Sequence, residues 1–300
     1  MRKIFLSLLL LAFAVNVNAQ LLYRITGKGL EKPSYIIGTY HIAPASFADS
    51  IPGAQAALEA VEQVCGEVVM SEMESRESQK RVKTAMTLPD RKSLADVLSE
   101  SEMEAVNAYM KQTIGMDLTN PLLKKEMGSL TPAALATQLQ LLQYIKMTPG
   151  FNPMKLIDAY FQKAAVKAKK PVIGFETVDF QINLLYESVT LDRGKQQLFC
   201  MIENSEYYAL QMQELAAAYF SQDMDVIAEI AEEKMGNMCD STPEEDEALI
   251  YARNADWAEK IPAIVADKAT LFVVGAAHLP GERGVLELLR QKGYVVKAVK

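Results

Sequence analysis

The two histidines of the chain lie in matching sequence contexts, and their type and spacing suggest chemistry. The sequence contains His41 and His278 and no other histidine. Residues 34–37 form an apolar run that leads into a Gly-x-x-His motif ending at His41, and residues 270–274 lead into a second such motif ending at His278. Because functional side chains collect where the strands of an α/β sheet end, we expect the two imidazoles to meet in one site.

Paired neutral imidazoles are typical ligands of divalent transition metals, and a catalytic metal site adds carboxylates and keeps a position open for water. Two acidic residues are the first candidates. Glu72 follows the predicted strand 67–70, with Glu74 two residues later as an alternative, and Glu176 follows the predicted strand 171–173. An acidic residue in such a position, taken alone, is more often a helix cap or a solvated loop residue.

Short apolar runs between Pro and Gly predict strands, and apolar residues at helical spacing predict helices. Both ends of the chain and two interior segments read as strands, and most of the rest reads as helix. We therefore predict an α/β fold with a central mixed sheet built from both halves of the chain, one domain over residues 20–300, and a large helical insertion at about 75–168. The predicted strands are 21–25, 34–37, 67–70, 171–173, 270–274 and 294–299.

The first 19 residues have the pattern of a signal peptide. Arg2 and Lys3 precede an apolar run over residues 4–15, and Val17 and Ala19 occupy the −3 and −1 positions of a cleavage site. The run is too short for a comfortable membrane span of roughly 20 residues. We expect cleavage after Ala19, export to the periplasm or the medium, and no stable membrane span.

Charge and cysteine content limit the remaining possibilities. With 31 Lys and Arg against 38 Asp and Glu, the net charge is −7, which argues against a sequence-independent nucleic-acid partner. Export favours disulfides. Of the three cysteines, Cys65 reads as a core residue, whereas Cys200 and Cys239 lie in the helical region and are the better candidates for a disulfide.

The sequence resembles the TraB/PrgY/GumN family, whose animal members include the TIKI metalloproteases. The resemblance extends over nearly the whole chain beyond residue 19 and rests on four short segments in the family's order. These are Gly38-Thr39-Tyr40-His41, Gly174-Phe175-Glu176-Thr177 with Gln181, Arg253-Asn254 with Trp257, and Gly275-Ala276-Ala277-His278.

The resemblance implies a fold like that of TIKI and erythromycin esterase, and peptide-bond hydrolysis that depends on a divalent cation such as Mn²⁺ or Co²⁺. By position, His41 and His278 take the place of the family's motif histidines and Glu176 that of its glutamate, and Arg253 and Asn254 fall on its Arg-Asn pair. Glu72 matches less firmly, because the family is variable after that strand.

We therefore predict an exported metal-dependent hydrolase, most simply a peptidase, acting on a peptide or small molecule. His41 and His278, with Glu72 or Glu176 or both, would hold the metal. Glu72, Glu176, Arg253 and Asn254 are the candidate catalytic residues: a glutamate free of metal would transfer protons, and Arg253 would stabilise an oxyanion or bind a substrate carboxylate.

Two alternatives from other classes remain open at this point. The same fold could sequester a metal or a metal-containing ligand such as haem without turnover. It could also be a regulatory protein whose cleft binds a peptide without cutting it.

Overall fold

The computed structural model describes residues 20–300, so the predicted signal peptide lies outside the described residues. A six-stranded mixed sheet is surrounded by helices, in the strand order β4-β3-β5-β2-β1-β6. The prediction of an α/β fold with a central mixed sheet drawn from both halves of the chain is confirmed. The strands are β1 Leu22–Thr26, β2 Ser34–Thr39, β3 Gln63–Gly66, β4 Val172–Gly174, β5 Thr270–Gly275 and β6 Val295–Ala298.

Fifteen α-helices are present in the described residues. They are α1 Ala54–Ala60, α2 Met70–Met73, α3 Arg76–Ala85, α4 Leu94–Val97, α5 Glu100–Ile114, α6 Pro121–Met127, α7 Pro132–Met147, α8 Ile157–Lys167, α9 Val178–Ile182, α10 Leu191–Glu203, α11 Ser205–Phe220, α12 Met224–Glu232, α13 Pro243–Asp246, α14 Ala252–Asp267 and α15 Val285–Gln291. Short 3₁₀ helices cover Ala45–Ser50, Pro89–Arg91 and Ala276–His278, and π-helical turns cover Asn183–Glu187 and Glu247–Tyr251.

The strands that precede the two Gly-x-x-His motifs are parallel neighbours. Strand β2 pairs with β5 in a register that sets Gly38 opposite Val274 and Thr39 opposite Gly275. Strand β3 pairs in parallel with the other side of β5, and β4 pairs in parallel with β3. Four carboxyl ends therefore lie along one edge of the sheet, whereas β1 and β6 continue the sheet as antiparallel strands beyond β2.

Gly38 lets the two histidine segments approach each other closely. A Cβ atom at position 38 would lie 2.9 Å from a methyl carbon of Leu279 and 3.0 Å from the Cα of Ala276, closer than packed atoms allow. A side chain at this position would push apart the turns that carry His41 and His278. The glycine of the first motif is thus explained by packing against the second motif.

The third strand lies earlier in the chain than predicted. The predicted strand covered 67–70, but β3 is Gln63–Gly66. The reason is a side chain distant in sequence: Gln162 donates to the carbonyl of Val68 and accepts from the backbone N–H of Met70. Because this amide satisfies the backbone that would otherwise pair in a sheet, the chain leaves the sheet after Gly66.

Two hydrophobic clusters stabilise the molecule. The first surrounds the sheet and includes Ile37, Phe272 and Trp257. The second lies among α4 to α7, which follow β3, and includes Leu135 and Met110. Leu198 of α10 also belongs to this second cluster, so the helices between β3 and β4 pack on a helix that follows β4. The division into one domain with an insertion stays a prediction.

The cysteines follow the sequence expectation. Cys200 of α10 and Cys239 form a disulfide with a Cα–Cα distance of 5.4 Å, and Cys65 is a buried free thiol in β3. Among residues 20–300, no helix combines the length and the apolar character needed to cross a bilayer.

Candidate active site

The two histidines converge on one carboxylate at the carboxyl edge of the parallel strands. The Oε1 atom of Glu67 lies 3.9 Å from Nε2 of His41 and 4.0 Å from Nε2 of His278. The same oxygen accepts a hydrogen bond of 2.8 Å from the backbone N–H of Gly275, the first residue of the second motif. The two histidines are 237 positions apart in the chain, and the adjacent parallel pairing of β2 and β5 brings them together.

Glu67 is the site residue that the sequence analysis missed. It was read as the first residue of a strand, whereas it directly follows the last residue of β3 and turns toward the histidines. The acidic residue proposed instead, Glu72, is exposed on the short helix α2. Its alternative, Glu74, is also exposed and pairs with Lys163. The structure therefore places Glu67, and neither Glu72 nor Glu74, between the imidazoles.

His278 is a buried imidazole in a defined tautomer. Its Nδ1 atom lies 2.7 Å from Oδ1 of Asn254, and the amide of Asn254 is oriented by a hydrogen bond from Nδ2 to the carbonyl of Arg283. Because an amide oxygen can only accept, Nδ1 carries the proton and Nε2 keeps its lone pair. Burial lowers the pKa of His278 to about 4, so the ring is neutral near pH 7.

His41 is more open and is paired with a different acid. Its side chain is 63% exposed, and Nδ1 lies 3.4 Å from Oδ2 of Asp158. The charge of Asp158 is the main cause that raises the pKa of His41 to about 9. For Glu67, burial on its own would raise the pKa, but electrostatic interactions with His41, then His278, then Arg253 lower it to about 2.

Arg253 crosses the cluster with all five of its N–H groups engaged. Nε donates to Glu176, and Nη2 donates both to Glu176 and, at 2.6 Å, to Glu67. Nη1 donates to the carbonyl of Leu249 and lies 3.1 Å from Nε2 of His278. Arg253 thus ties the two glutamates together and covers the lone pair of His278.

Glu176 lies at the centre of the cluster, and its carboxylate is already saturated. One oxygen accepts from Arg253 and from the indole N–H of Trp257, and the other accepts from Arg253 and from Gln181. These contacts occupy the roughly four acceptor positions of a carboxylate. Thr177 caps α9 and so fixes the backbone next to Glu176. The geometry therefore makes Glu176 the residue that orients Arg253.

The cluster lies at the head of a cleft with a volume of about 840 Å³. This volume is within the range of pockets that bind small molecules or short peptide segments. His41, Arg253 and His278 line one end, and much of the rest is lined by helices α11 and α12, by part of the segment 233–241 and by the turn Glu247–Tyr251. The apolar and aromatic lining includes Tyr207, Met212, Leu215, Ile230, Leu249 and Tyr251.

The sheet and the histidine cluster fall within one family match. The model of the TraB/PrgY/gumN family matches residues 21–298. The chain belongs to the TraB/PrgY/gumN family. The match extends from just before β1 to the end of β6, so the whole sheet and the whole histidine cluster fall within it. Searches of curated proteins and of solved structures found no significant match.

Four of the predicted site residues meet in the described structure of this family member: His41, His278, Glu176 and Arg253. Asn254 also belongs to the cluster, but it contacts His278 from behind, through Nδ1, and is oriented by α14 away from the cleft lining. Two further members, Glu67 and Asp158, were not anticipated. The signal for Glu67 would have been an acidic residue placed one position after a buried strand, as Glu176 is placed two positions after β4.

Proposed function

We propose that this protein is an exported hydrolase that depends on a divalent cation and hydrolyses peptide bonds. The observation that carries the proposal is the approach of the two histidine Nε2 atoms and the Oε1 atom of Glu67 to about 4 Å at the head of the cleft. The family membership, through its resemblance to TIKI-type metalloproteases, supports the same reaction.

The donor set suits a divalent cation. His278 has its proton on Nδ1, which leaves Nε2 as a ligand atom, and one lone pair of Glu67 Oε1 is left over after the bond from Gly275. A Cβ atom at Gly275 would lie 3.3 Å from Nε2 of His41 and 3.4 Å from Oε1 of Glu67, so the glycine keeps a small space open between these ligands.

Charge balance points the same way. The cluster contains the carboxylates of Glu67, Glu176 and Asp158 and the guanidinium of Arg253. Near pH 7 the proton on His41 leaves this cluster with a net charge of −1. Once a bound cation displaces that proton, three negative charges against one positive charge give −2, which a divalent cation would neutralise.

Binding of a cation would require one rearrangement, in which Arg253 gives up its contact with Nε2 of His278. As they stand, the His, Cys, Asp and Glu side chains of residues 20–300 form no group of three that could hold a metal ion. Arg253 lies against the lone pair of His278 at 3.1 Å. If another ligand took that lone pair, one N–H of Arg253 would be released on the side that lines the cleft.

His41, His278 and Glu67 would hold the cation, which when bound would polarise a carbonyl group and make water more acidic. The released N–H of Arg253 would then be a donor for the developing oxyanion, and Glu176 and Trp257 would keep the guanidinium in place. Glu176, one of the two glutamates that the sequence suggested as proton carriers, has no free acceptor position for that role.

Export is part of the proposal. The disulfide between Cys200 and Cys239 supports an oxidising compartment. The net charge of −7 also gives no reason to expect a nucleic-acid partner.

The test compares two glutamates from the same short segment. Glu67→Gln removes a proposed ligand, whereas Glu72→Gln changes an exposed side chain five residues later. We expect the wild type and Glu72→Gln to bind Mn²⁺ or Co²⁺ in calorimetry and to cleave members of a peptide library. We expect Glu67→Gln, His41→Ala and His278→Ala to bind at least about 100-fold more weakly.

The outcomes separate the alternatives. Cleavage that stops with a chelator and returns with Mn²⁺ supports the proposal. Equal metal content in the wild type and in both histidine variants would defeat the proposed site. Stoichiometric binding of metal or haem without any product supports the sequestering protein, and peptide binding that survives the chelator without cleavage supports the regulatory protein.

A further inference from the structure

A largely buried carboxylate lies on the Nδ1 side of His41, away from Glu67. Asp158 is the second residue of α8, and its side chain is only 15% exposed. Its Oδ1 atom accepts a hydrogen bond of 2.6 Å from the hydroxyl of Thr39, the last residue of β2. Its Oδ2 atom is fully buried, has no hydrogen-bond partner among residues 20–300, and lies 3.4 Å from Nδ1 of His41.

We propose that Asp158 is the positioning residue of His41. Its Oδ2 atom accepts the Nδ1 proton of the ring, so that Nε2 faces Glu67 and, in the neutral ring, keeps its lone pair. The inference rests on the proposed function, in which His41 acts through Nε2. A buried carboxylate oxygen with no partner is costly, and the imidazole N–H is the donor within reach that removes this cost.

The neighbours of Asp158 leave this role to His41. Thr39 is committed to Oδ1 at 2.6 Å. Burial raises the pKa of Tyr219, which is also close enough for the charge of Asp158 to raise its pKa further. Its hydroxyl, however, donates its proton to the carbonyl of Gly38. Oδ2 therefore remains for the histidine ring.

The other site histidine is held in the same way, which supports the inference independently. Asn254 accepts at Nδ1 of His278, and the Nε2 atom of His278 faces Glu67 at 4.0 Å. Each histidine thus presents Nε2 to the same carboxylate and has an oxygen acceptor behind Nδ1. Acceptors behind ligating histidines fix both the tautomer and the ring orientation.

The experiment uses the fact that the chain has two histidines. Long-range ¹H–¹⁵N NMR of the metal-free protein, at a pH where the rings are neutral, reports which nitrogen carries the proton in each ring. The ring signals are assigned to the two histidines by their absence in the spectra of His41→Gln and His278→Gln. The variants are Asp158→Asn, which keeps an acceptor oxygen, and Asp158→Leu, which removes it. The matched control is Asp192→Leu, because Asp192 is also the second residue of a helix, α10, but is exposed.

We expect the Nδ1–H tautomer for His41 in the wild type, in Asp158→Asn and in Asp192→Leu, and its loss in Asp158→Leu. In calorimetry with Mn²⁺ alone, we expect Asp158→Leu to bind about 10- to 100-fold more weakly than the wild type, and Asp158→Asn to lose less. The tautomer of His278 should be the same in all of them.

The results distinguish this inference from the proposed function. If the wild type does not bind Mn²⁺, the metal-dependent function is wrong, but the tautomer of His41 still decides the role of Asp158. An Nε2–H tautomer in the wild type, or an unchanged tautomer in Asp158→Leu, would overturn the inference. If Asp158→Leu does not fold, Asp158→Ala and the wild-type spectrum give the same decision.

Discussion

The two histidines of the site experience opposite environments, although both present Nε2 to the same glutamate. His278 is buried against Trp257, with ring centroids 4.5 Å apart, and burial lowers its pKa to about 4. His41 is exposed to the cleft, and Asp158 raises its pKa to about 9. Near pH 7 the ring of His278 is therefore neutral, whereas the ring of His41 carries an additional proton, which a bound cation would displace.

This difference predicts how the metal-free protein responds to acid. The pKa of His278 is lower in the folded state than the ordinary value of about 6.5, so the unfolded state binds more protons between these values. The stabilising contribution is complete above pH ~6.5 and is lost as the pH falls toward about 4. A shift of this size corresponds to roughly 3 kcal/mol. Urea unfolding across this range should show a flatter loss of stability in His278→Gln than in the wild type.

The control for this experiment is His41→Gln. The pKa of His41 is raised in the folded state, so its contribution is present below pH ~6.5 and is lost as the pH rises through about 9. This variant should change the alkaline side of the stability curve and leave the slope assigned to His278 in place. Parallel acid curves for the wild type and His278→Gln would contradict the assignment.

At the scale of elements, the segment between α12 and α13 forms one wall of the cleft and is fastened in three ways. Cys239 joins it to α10 through the disulfide. Arg193 of α10 donates to the carbonyls of Met238 and Asp240. The carboxylate of Asp240 accepts from three backbone N–H groups of the same segment, those of residues 235, 236 and 237.

The disulfide should therefore contribute to stability more than to the shape of the cleft. It closes a loop of 39 residues, for which the chain-entropy model gives up to about 4 kcal/mol. We expect the double variant Cys200→Ser with Cys239→Ser to unfold at a lower urea concentration while its affinity for peptide ligands changes little. The wild type in reductant should behave like the variant, and the variant itself should not respond to reductant. A large loss of peptide affinity would show that Arg193 and Asp240 do not hold the wall.

At the scale of the whole molecule, the site depends on the sheet-centred cluster, and the second cluster supports the helices that follow β3. Ile37 of β2 and Leu135 of α7 are both completely buried, one in each cluster. The residues that surround the two histidines come from the sheet edge, from α8 and from α14. A substitution in the sheet-centred cluster should therefore disturb the site more than a substitution in the second cluster.

We expect Leu135→Ala and Ile37→Ala each to reduce the free energy of unfolding by about 2–5 kcal/mol. Hydrogen exchange should distinguish them. In Leu135→Ala, exchange should increase first in α5 to α7, with β5 still protected and Mn²⁺ affinity retained. In Ile37→Ala, protection of β2 and β5 and Mn²⁺ affinity should fall together. Uniform loss of protection in both variants would show that the clusters unfold as one unit.

Much of the fold and part of the site could be predicted, because the relevant information is local. Apolar runs that end at glycine predicted strands β2 and β5, and the repeated Gly-x-x-His spacing marked His41 and His278. Glu67 could not be found in this way, because the end of β3 depends on Gln162, 95 positions later in the chain. Asp158, by contrast, has no local signal at all, since its partner Thr39 is 119 positions away.

The linear pattern thus establishes an α/β protein with two histidines at strand ends and a pair of cysteines suited to a disulfide, because strand periodicity and glycine turns are short-range properties. Which carboxylate lies between the imidazoles, which acceptor stands behind each ring, and which lone pairs are already occupied are decided by the tertiary structure. Those contacts join segments that are distant in the chain and are brought together by the pairing of parallel strands and by helix packing.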